Sequence, residues 1–437
     1  MEHVKNSLVR KPVPLKVKII DSIMGTGKTS WAIQYMNEAP PYQKFIYITP
    51  FKTEVERVIA SCKDRSFVQP EASKGKGKKL NHLKTLILKG EDIVSTHKLF
   101  QNTDAELVEL LKAQGYTLIL DEVMNVIEQE KISKDDLQLL LSATNKEGER
   151  LIVVKENGFV QWNAPSYKEG QFTKIRNLAE ANNLMIYDNV AMYWTFPVEA
   201  FKAFEEVYVL TYMFDGQIQR YYYDLFNVQY TYHSVSNKNG RYELIPYVPL
   251  HKENKAHLKE LIEIFYSTTR DKTDLNKIGE GRHPFSVSHL KKLVNDSHLK
   301  KLVKDNAYNF YRHKCKANSN DVMWTTFLGE KDTIKKAITP KNLKKQFVEV
   351  TCRATNDYAD KSVCVYLANR FLNPILKRFF TDKGIEVNQD LFALSELLQW
   401  VFRSRVRKGE EIQLYIPSER MRNLLEKYLN NEIIGQG

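Results

Sequence analysis

Eight residues near the start of the chain, Ser22-Ile23-Met24-Gly25-Thr26-Gly27-Lys28-Thr29, bring two glycines, a lysine and hydroxyls into one short stretch. Those residue types at that spacing suit the holding of phosphate. Glycines let backbone N–H groups close around an anion, a lysine ammonium reaches the outer phosphates, and a threonine hydroxyl can ligate Mg²⁺. An apolar run, "KVKIID", precedes the stretch and an amphipathic run, "TSWAIQYM", follows it. A strand therefore feeds the loop, and a helix leaves it with its positive end toward the anion. The commonest form of this loop opens on glycine, whereas Ser22 holds that place here. The expected nucleotide contacts are Ser22, Gly25, Thr26, Gly27, Lys28, Thr29 and Ser30. A chance glycine turn is the plain alternative, and the flanking strand and helix speak against it.

Phosphate chemistry also needs acids. "TLILDEV" ends an apolar run on Asp121-Glu122. Asp121 is expected to join Thr29 in holding Mg²⁺, and Glu122 to orient or deprotonate the attacking water. Acids at a strand end can instead merely cap the next helix. An N/TKxD guanine-recognition motif is absent, which favours ATP over GTP. Near the other end, "LSELLQWVFRSRVRKGEE" spaces Gln399, Arg403 and Arg407 at four-residue steps. On one helix these would share a face. Guanidinium is permanently charged and forks to phosphate oxygens, so the three are candidates for stabilising a transferring phosphoryl group. A basic helix facing solvent or nucleic acid is the simpler reading.

The elements that must position these residues are legible as alternation. "VKIIDS", "KFIYITP", "DIVSTH", "TLILDEV", "LIVVKE" and "EEVYVLTYMF" read as buried strands separated by helix-like stretches. That pattern predicts an α/β fold with a parallel sheet flanked by helices. After Phe226 the texture turns tyrosine-rich, and "VMWTTF", "QFVEVT", "SVCVYL" and "EIQLYIP" read as strands of a second alternating unit. The expected division is 1–230 for a nucleotide-binding domain and 231–437 for a second domain. Residues 157–200 carry no clear pattern. "SHLKKLV" occurs twice, from Ser288 and from Ser297, and reads as a short helical duplication with a solvated lysine face. "EASKGKGKKLNHLK" reads as a basic surface loop. Trp324, Trp400 and Tyr221-Tyr222-Tyr223 read as packing residues.

Bulk properties narrow the class. At 437 residues and 43% hydrophobic the chain can bury real cores. The formal charge of +12 suits a polyanionic partner such as nucleic acid. Cys62, Cys315, Cys352 and Cys364 form no CxxC pair, which argues against a zinc site or disulfide framework and for a reducing, cytoplasmic setting. The N-terminus has no apolar signal core, and no apolar run approaches the roughly 20 residues of a membrane span. No membrane partner is expected.

Taken in order along the chain, the motifs resemble those of superfamily 2 helicases, most closely DEAD/DEAH-box DNA helicases encoded by bacteriophages. "SIMGTGKT" resembles motif I, "YITPF" motif Ia and "LDEV" motif II. "VSTHKLF" resembles the next strand-end nucleic-acid motif, and "VLTYMFDGQ" motif III. "MWTTF", "CRATNDYAD" and "LQWVFRSRVRKGE" resemble motifs IV, V and VI. Departures are plain: Val123 and Met124 follow the acids, motif III lacks Ser-Ala-Thr, and no adenine-reading glutamine precedes the loop. The resemblance implies two RecA-like domains with ATP in the cleft between them and Arg403 and Arg407 entering from the second. It implies ATP hydrolysis driving movement on single-stranded or duplex nucleic acid, DNA favoured over RNA. It also implies backbone contacts from Thr49, Lys52, Thr96, His97, Arg353 and Thr355, and residence in a host cytoplasm. An ATP-driven, non-unwinding nucleic-acid switch is the alternative; a nucleotide kinase is disfavoured by the second unit.

Overall fold

The computed structural model describes residues 16–146, 148–267, 274–351 and 357–432. They pack as two compact units whose chain segments interleave. The first holds the described residues up to Ile20, Thr29–Thr211 and Tyr222–His233. The second holds Asp21–Lys28, Tyr212–Tyr221 and the described residues from Ser234 onward.

Along the chain the strands are β1 (Lys16–Asp21), β2 (Lys44–Thr49), β3 (Phe67–Val68), β4 (Asp92–Thr96), β5 (Tyr116–Asp121), β6 (Ile127–Gln129), β7 (Ile152–Val154), β8 (Val160–Trp162), β9 (Leu184–Tyr187), β10 (Ala191–Thr195), β11 (Glu206–Thr211), β12 (Gln229–Lys238), β13 (Arg241–Pro246), β14 (Ile262–Ile264), β15 (Val322–Thr325), β16 (Val363–Tyr366) and β17 (Ile412–Tyr415). The largest sheet has the order β13-β12-β1-β11-β5-β2-β4-β3. The pairs β12/β1, β11/β5, β5/β2, β2/β4 and β4/β3 are parallel. Every residue of β5 is buried, as a strand covered on both faces requires. The sequence reads this as an unbroken apolar run rather than an alternation. β12 turns into β13 through Asn239 and Gly240, at φ 54° and 86°. An Asn-Gly pair with both residues left-handed is the turn whose twist suits a two-residue hairpin.

Between β5 and β11 lies an insertion with a sheet of its own. β6, β10 and β9 pair antiparallel, as do β7 and β8. The helices Lys134–Ser142 and Thr173–Glu180 close over a small core that includes Leu137, Leu140, Ile152, Leu184, Ile186 and Met192. "LIVVKE" thus belongs to this insertion and not to the large sheet. Val153 and Val154 are exposed at 41% and 36%, so the run was apolar without being buried.

The second unit centres on a parallel sheet of order β14-β17-β16-β15. Successive strand residues face opposite sides. Met323, Cys364 and Leu414 enter one core with Trp400, while Trp324, Val365 and Tyr415 enter another with Phe310. Each fully buried large side chain contributes about 1.5–3 kcal/mol. The fold class is therefore the expected one: α/β, with a parallel sheet flanked by helices in each unit, the RecA-like pattern.

Two local expectations fail in this unit. "QFVEVT" is no strand: Lys344–Gln346 is a 3₁₀ turn, and Phe347 meets Trp324 by a single bridge. Val348 and Val350 are buried as a loop, so their alternation reported burial and not a ladder. The helix carrying Gln399 spans Gln389–Val401 and is capped by Phe402. Arg403 follows the cap and Arg407 lies in a separate 3₁₀ turn, Arg405–Lys408. The three do not share a helical face.

The duplicated "SHLKKLV" segments fall on the helices Val287–Leu293 and Ser297–Asn309. In the first, Leu290 and Leu293 are buried while Lys291 and Lys292 are exposed. Trp324, Trp400, Tyr221, Tyr222 and Tyr223 are fully buried packing residues. The basic "EASKGKGKKLNHLK" segment is not one surface loop. It contains a 3₁₀ turn at Ser73–Gly75 and the start of the helix Lys79–Lys89. Among the described residues no helix is long and apolar enough to cross a membrane.

Candidate nucleotide site

The loop after β1 folds as its composition dictates. Gly25 and Gly27 take φ +88° and +93°, values that side-chain-bearing residues rarely adopt. Thr26 turns back on Ile23, whose carbonyl accepts from both its N–H at 3.4 Å and its hydroxyl at 2.9 Å. A Cβ at Gly27 would stand 2.1 Å from Cε1 of Tyr242, so glycine is required there for room as well as for φ. Ser22 is buried, and its Oγ accepts from the N–H of Val235 at 2.9 Å. That bond gives a physical reason for serine where the commoner motif has glycine. The Lys28 ammonium donates to the carbonyls of Ser22, at 2.5 Å, and Ile23, at 3.2 Å. Thr29 and Ser30 follow on the first turn of the helix Lys28–Glu38, which has no acid in that turn to repel an anion.

Sequence reasoning missed Asp21, the last residue of β1, which ties down a distant stretch of backbone. Its two carboxylate oxygens accept the N–H groups of Met213 and Phe214, each at 2.9 Å. Its own carbonyl accepts from Ser234 Oγ at 3.0 Å. Burial pushes the Asp21 carboxyl up to about 7, against the opposing pull of those two N–H donors. The segment it holds is the motif III-like "TYMFDGQ". Met213 sits at φ 57°, and a Cβ on Gly216 would meet the Leu391 carbonyl carbon at 2.6 Å. Tyr212, just before, donates to Glu253 and shares a 2.9 Å hydrogen bond with Tyr428. The Lys28 ammonium stands 6.0 Å from the Tyr212 ring centroid. The available signal was an apolar strand ending on an acid next to a small residue.

The acid pair lies at the end of β5, with β11 between β5 and β1 in the sheet order. Glu122 donates its N–H to the Leu210 carbonyl at 2.9 Å, extending the ladder, and holds φ at +63°. A left-handed non-glycine residue at a strand end is a strained conformation of the kind found at working sites. Asp121 is 9% exposed. Burial, then the neighbouring Glu122 carboxylate, pushes its carboxyl up to about 7. Thr49 Oγ1 donates to its Oδ2 at 3.3 Å. Nε2 of His97 meets the Asp121 backbone oxygen at 2.9 Å.

Two residues expected to touch nucleic acid thus have other company. Thr49 is fully buried against Asp121, which removes it from any exposed surface. His97 is half-buried and engages the acid strand. Thr96 is half-buried at the start of the helix His97–Phe100, and Lys52 is exposed at the start of the helix Lys52–Ser61. Arg353 and Thr355, with most of the "CRATNDYAD" segment, lie outside the described residues. Gln399 and Arg403 are buried at 6% and 7% exposure, whereas Arg407 is exposed. The structure brings Thr26 and Lys28 onto the Ile23 carbonyl within one turn, and Thr49 and His97 together around Asp121.

Among solved structures, the chain is similar to an apo XPD, at 12% identity, TM-score 0.49 and 96% coverage of both chains. It is similar to S. tokodaii Xpd4, at 11% identity, TM-score 0.49 and 94% coverage of both. It is also similar to the DUF1998 helicase MrfA bound to DNA and AMPPNP, at 12% identity and TM-score 0.32, over 95% of this chain and 48% of that one. Likeness of that size supports no functional inference. Sequence families are decisive instead. Residues 127–194, the insertion after β5, match the YonV middle domain, and residues 256–429 match the YonV C-terminal Rossmann-like domain. The SPbeta prophage-derived uncharacterized protein YonV of Bacillus subtilis (strain 168) is 38% identical over 427 residues, covering 95% of this chain and 99% of the relative. With its middle and C-terminal segments both matched and a relative aligned nearly end to end, the chain belongs to the YonV family.

Proposed function

We propose that this chain is an ATP hydrolase of the nucleic-acid helicase type, a bacteriophage-derived motor that translocates on or unwinds nucleic acid, with DNA favoured. The observation that carries the reading is the loop between β1 and the helix Lys28–Glu38, with glycines at left-handed φ, an ammonium and a helix N-terminus. Those donors fit a nucleoside triphosphate. Lys28 takes the outer phosphates, with Ser22, Gly25, Thr26, Gly27, Thr29 and Ser30 around the remainder. Thr29 and Asp121 are the residues that would hold Mg²⁺, which when bound neutralises phosphate charge. Glu122 orients or deprotonates the attacking water. Its strained backbone and the high carboxyl pKa of its neighbour support a working role for the pair. Arg403 and Arg407 are carried by the second unit. Exposed Arg407 is the stronger candidate for phosphate, and buried Arg403 the stronger candidate for support. The +12 charge and the prophage-derived relative support a nucleic-acid track.

A second reading, an ATP-driven switch that binds nucleic acid without unwinding it, is favoured by one observation. Val123 and Met124 after the acids are buried at 4% and 3%. No polar side chain stands at the positions that ordinarily couple hydrolysis to strand separation. Strand displacement on a tailed duplex with ATP decides between them. Release of the labelled strand supports the motor. ATP turnover stimulated by nucleic acid without release supports the switch.

A further inference from the structure

The second unit holds a cavity of about 1080 Å³ that the nucleotide site does not use. It opens beside the segments that follow β15 and β16, at their C-terminal ends, where open α/β sheets bind ligands. Its lining carries Arg282, Lys291, Arg370, Lys377 and Arg378 but no aspartate or glutamate. Two of these cations are neutralised: Arg370 pairs with Glu396 at 2.9 Å, and Arg378 approaches Asp382 at 3.6 Å. Among the described residues, no acid pairs with Arg282, Lys291 or Lys377, which leaves three positive charges facing the cavity.

The same wall carries a prebuilt aromatic cluster. The Arg420 guanidinium lies 4.2 Å from the Phe371 ring centroid. The His283 ring lies 5.6 Å from the Phe371 ring at an interplanar angle of 32°. Arg420 is fixed by bonds to Asp390, the Asn369 amide oxygen and the carbonyls of Arg370 and Gln389. Phe371 is thereby held in place, and the cluster ends on His283, which is exposed. A fixed aromatic platform beside unpaired cations suits a ligand that alternates flat rings with phosphates. Stacking of bases with backbone neutralisation is how single strands are held without regard to sequence.

We propose that this cavity binds single-stranded nucleic acid, a base stacking on His283 and Phe371 while Arg282, Lys291 and Lys377 take neighbouring phosphates. The proposal rests on the nucleic-acid reading above and places the track on residues that the motif comparison did not single out. An acidic protein segment would satisfy the cations but has no use for the aromatic platform.

The test is fluorescence anisotropy of the full chain with a fluorescein-labelled 15-nucleotide single strand, at several salt concentrations, with ATP hydrolysis measured in parallel. Three proteins are compared: wild type, His283→Ala, and Arg282→Ala/Lys291→Ala/Lys377→Ala. The altered residues are surface-accessible, and circular dichroism checks that each variant folds. The triple variant should bind more weakly and lower the salt slope by about 0.7 for each phosphate it no longer neutralises. His283→Ala should weaken binding roughly 5- to 150-fold, the range for one base stack. An oligonucleotide of abasic spacers should bind both wild type and His283→Ala alike. Wild-type binding that survives both variants unchanged overturns the cavity assignment and leaves the nucleic-acid reading standing. A wild type that hydrolyses ATP but binds no strand overturns both. An equal loss in His283→Ala on abasic and normal strands overturns the stacking role.

Discussion

Asp21 and Asp121 end two strands that flank β11, and burial pushes both carboxyls up to about 7. Their surroundings differ. Asp21 accepts the backbone N–H groups of Met213 and Phe214, each at 2.9 Å. Asp121 accepts the Thr49 hydroxyl at 3.3 Å, and the charge that acts on it most strongly is another carboxylate, Glu122. A buried acid with matched backbone donors fixes a conformation. A buried acid set beside a like charge is destabilised in its charged form. A cation at Asp121 would reverse the local electrostatics and restore its charge. The contrast sets an acid that ties down backbone against one whose proposed work is to hold a cation, although both end apolar strands in the sequence.

The largest effect that would sharpen this contrast concerns the Asp121-Glu122 side. Glu122→Gln keeps shape and removes the proposed base, so steady-state ATP turnover should fall by roughly 10²–10⁴-fold with unchanged far-UV circular dichroism. Turnover within a few-fold of wild type would move the base elsewhere. Asp21→Ala comes next. It strands two buried N–H donors, at about 1–3 kcal/mol each, so the cooperative unfolding midpoint in urea should drop sharply. A midpoint like that of wild type would show that Asp21 anchors nothing. The smallest effect is the most discriminating. The Asp121 carboxyl titrates near 7 in the fold against an ordinary 3.8. Between those values the unfolded chain releases its proton first, so this group makes stability fall as pH rises from about 4 to 7, with no further change above. Asp121→Asn should lessen that slope of the melting-temperature profile, Asp21 supplying the remainder, and raise the melting temperature at pH 8 while impairing hydrolysis. A lower melting temperature at pH 8 would mean that the carboxylate is stabilising and the contrast false.

What the sequence disclosed follows from the kind of signal each feature carries. The strands β1, β2, β4, β5 and β11 were legible because a parallel strand buried on both faces is an unbroken apolar run. The loop at Gly25 and Gly27 was legible because its φ values admit few other residues. "LIVVKE" and "QFVEVT" misled because apolar composition does not say which partner a segment finds. Residues 157–200 were opaque because a small insertion with strands of three to five residues offers too short a period. Asp21 was passed over because its role depends on backbone N–H groups almost 200 residues away. The spacing of Gln399, Arg403 and Arg407 suggested one helix, but nothing in that spacing marks the cap at Phe402.

The central claim is that the loop around Lys28 binds and turns over ATP in response to a nucleic-acid track. The direct measurement is phosphate release by the purified chain, alone and with single-stranded DNA or RNA, beside a folded Lys28→Ala variant. The account predicts turnover that rises with one of the polymers and is abolished in Lys28→Ala. Turnover retained in Lys28→Ala would contradict the site, and turnover indifferent to both polymers would contradict the motor.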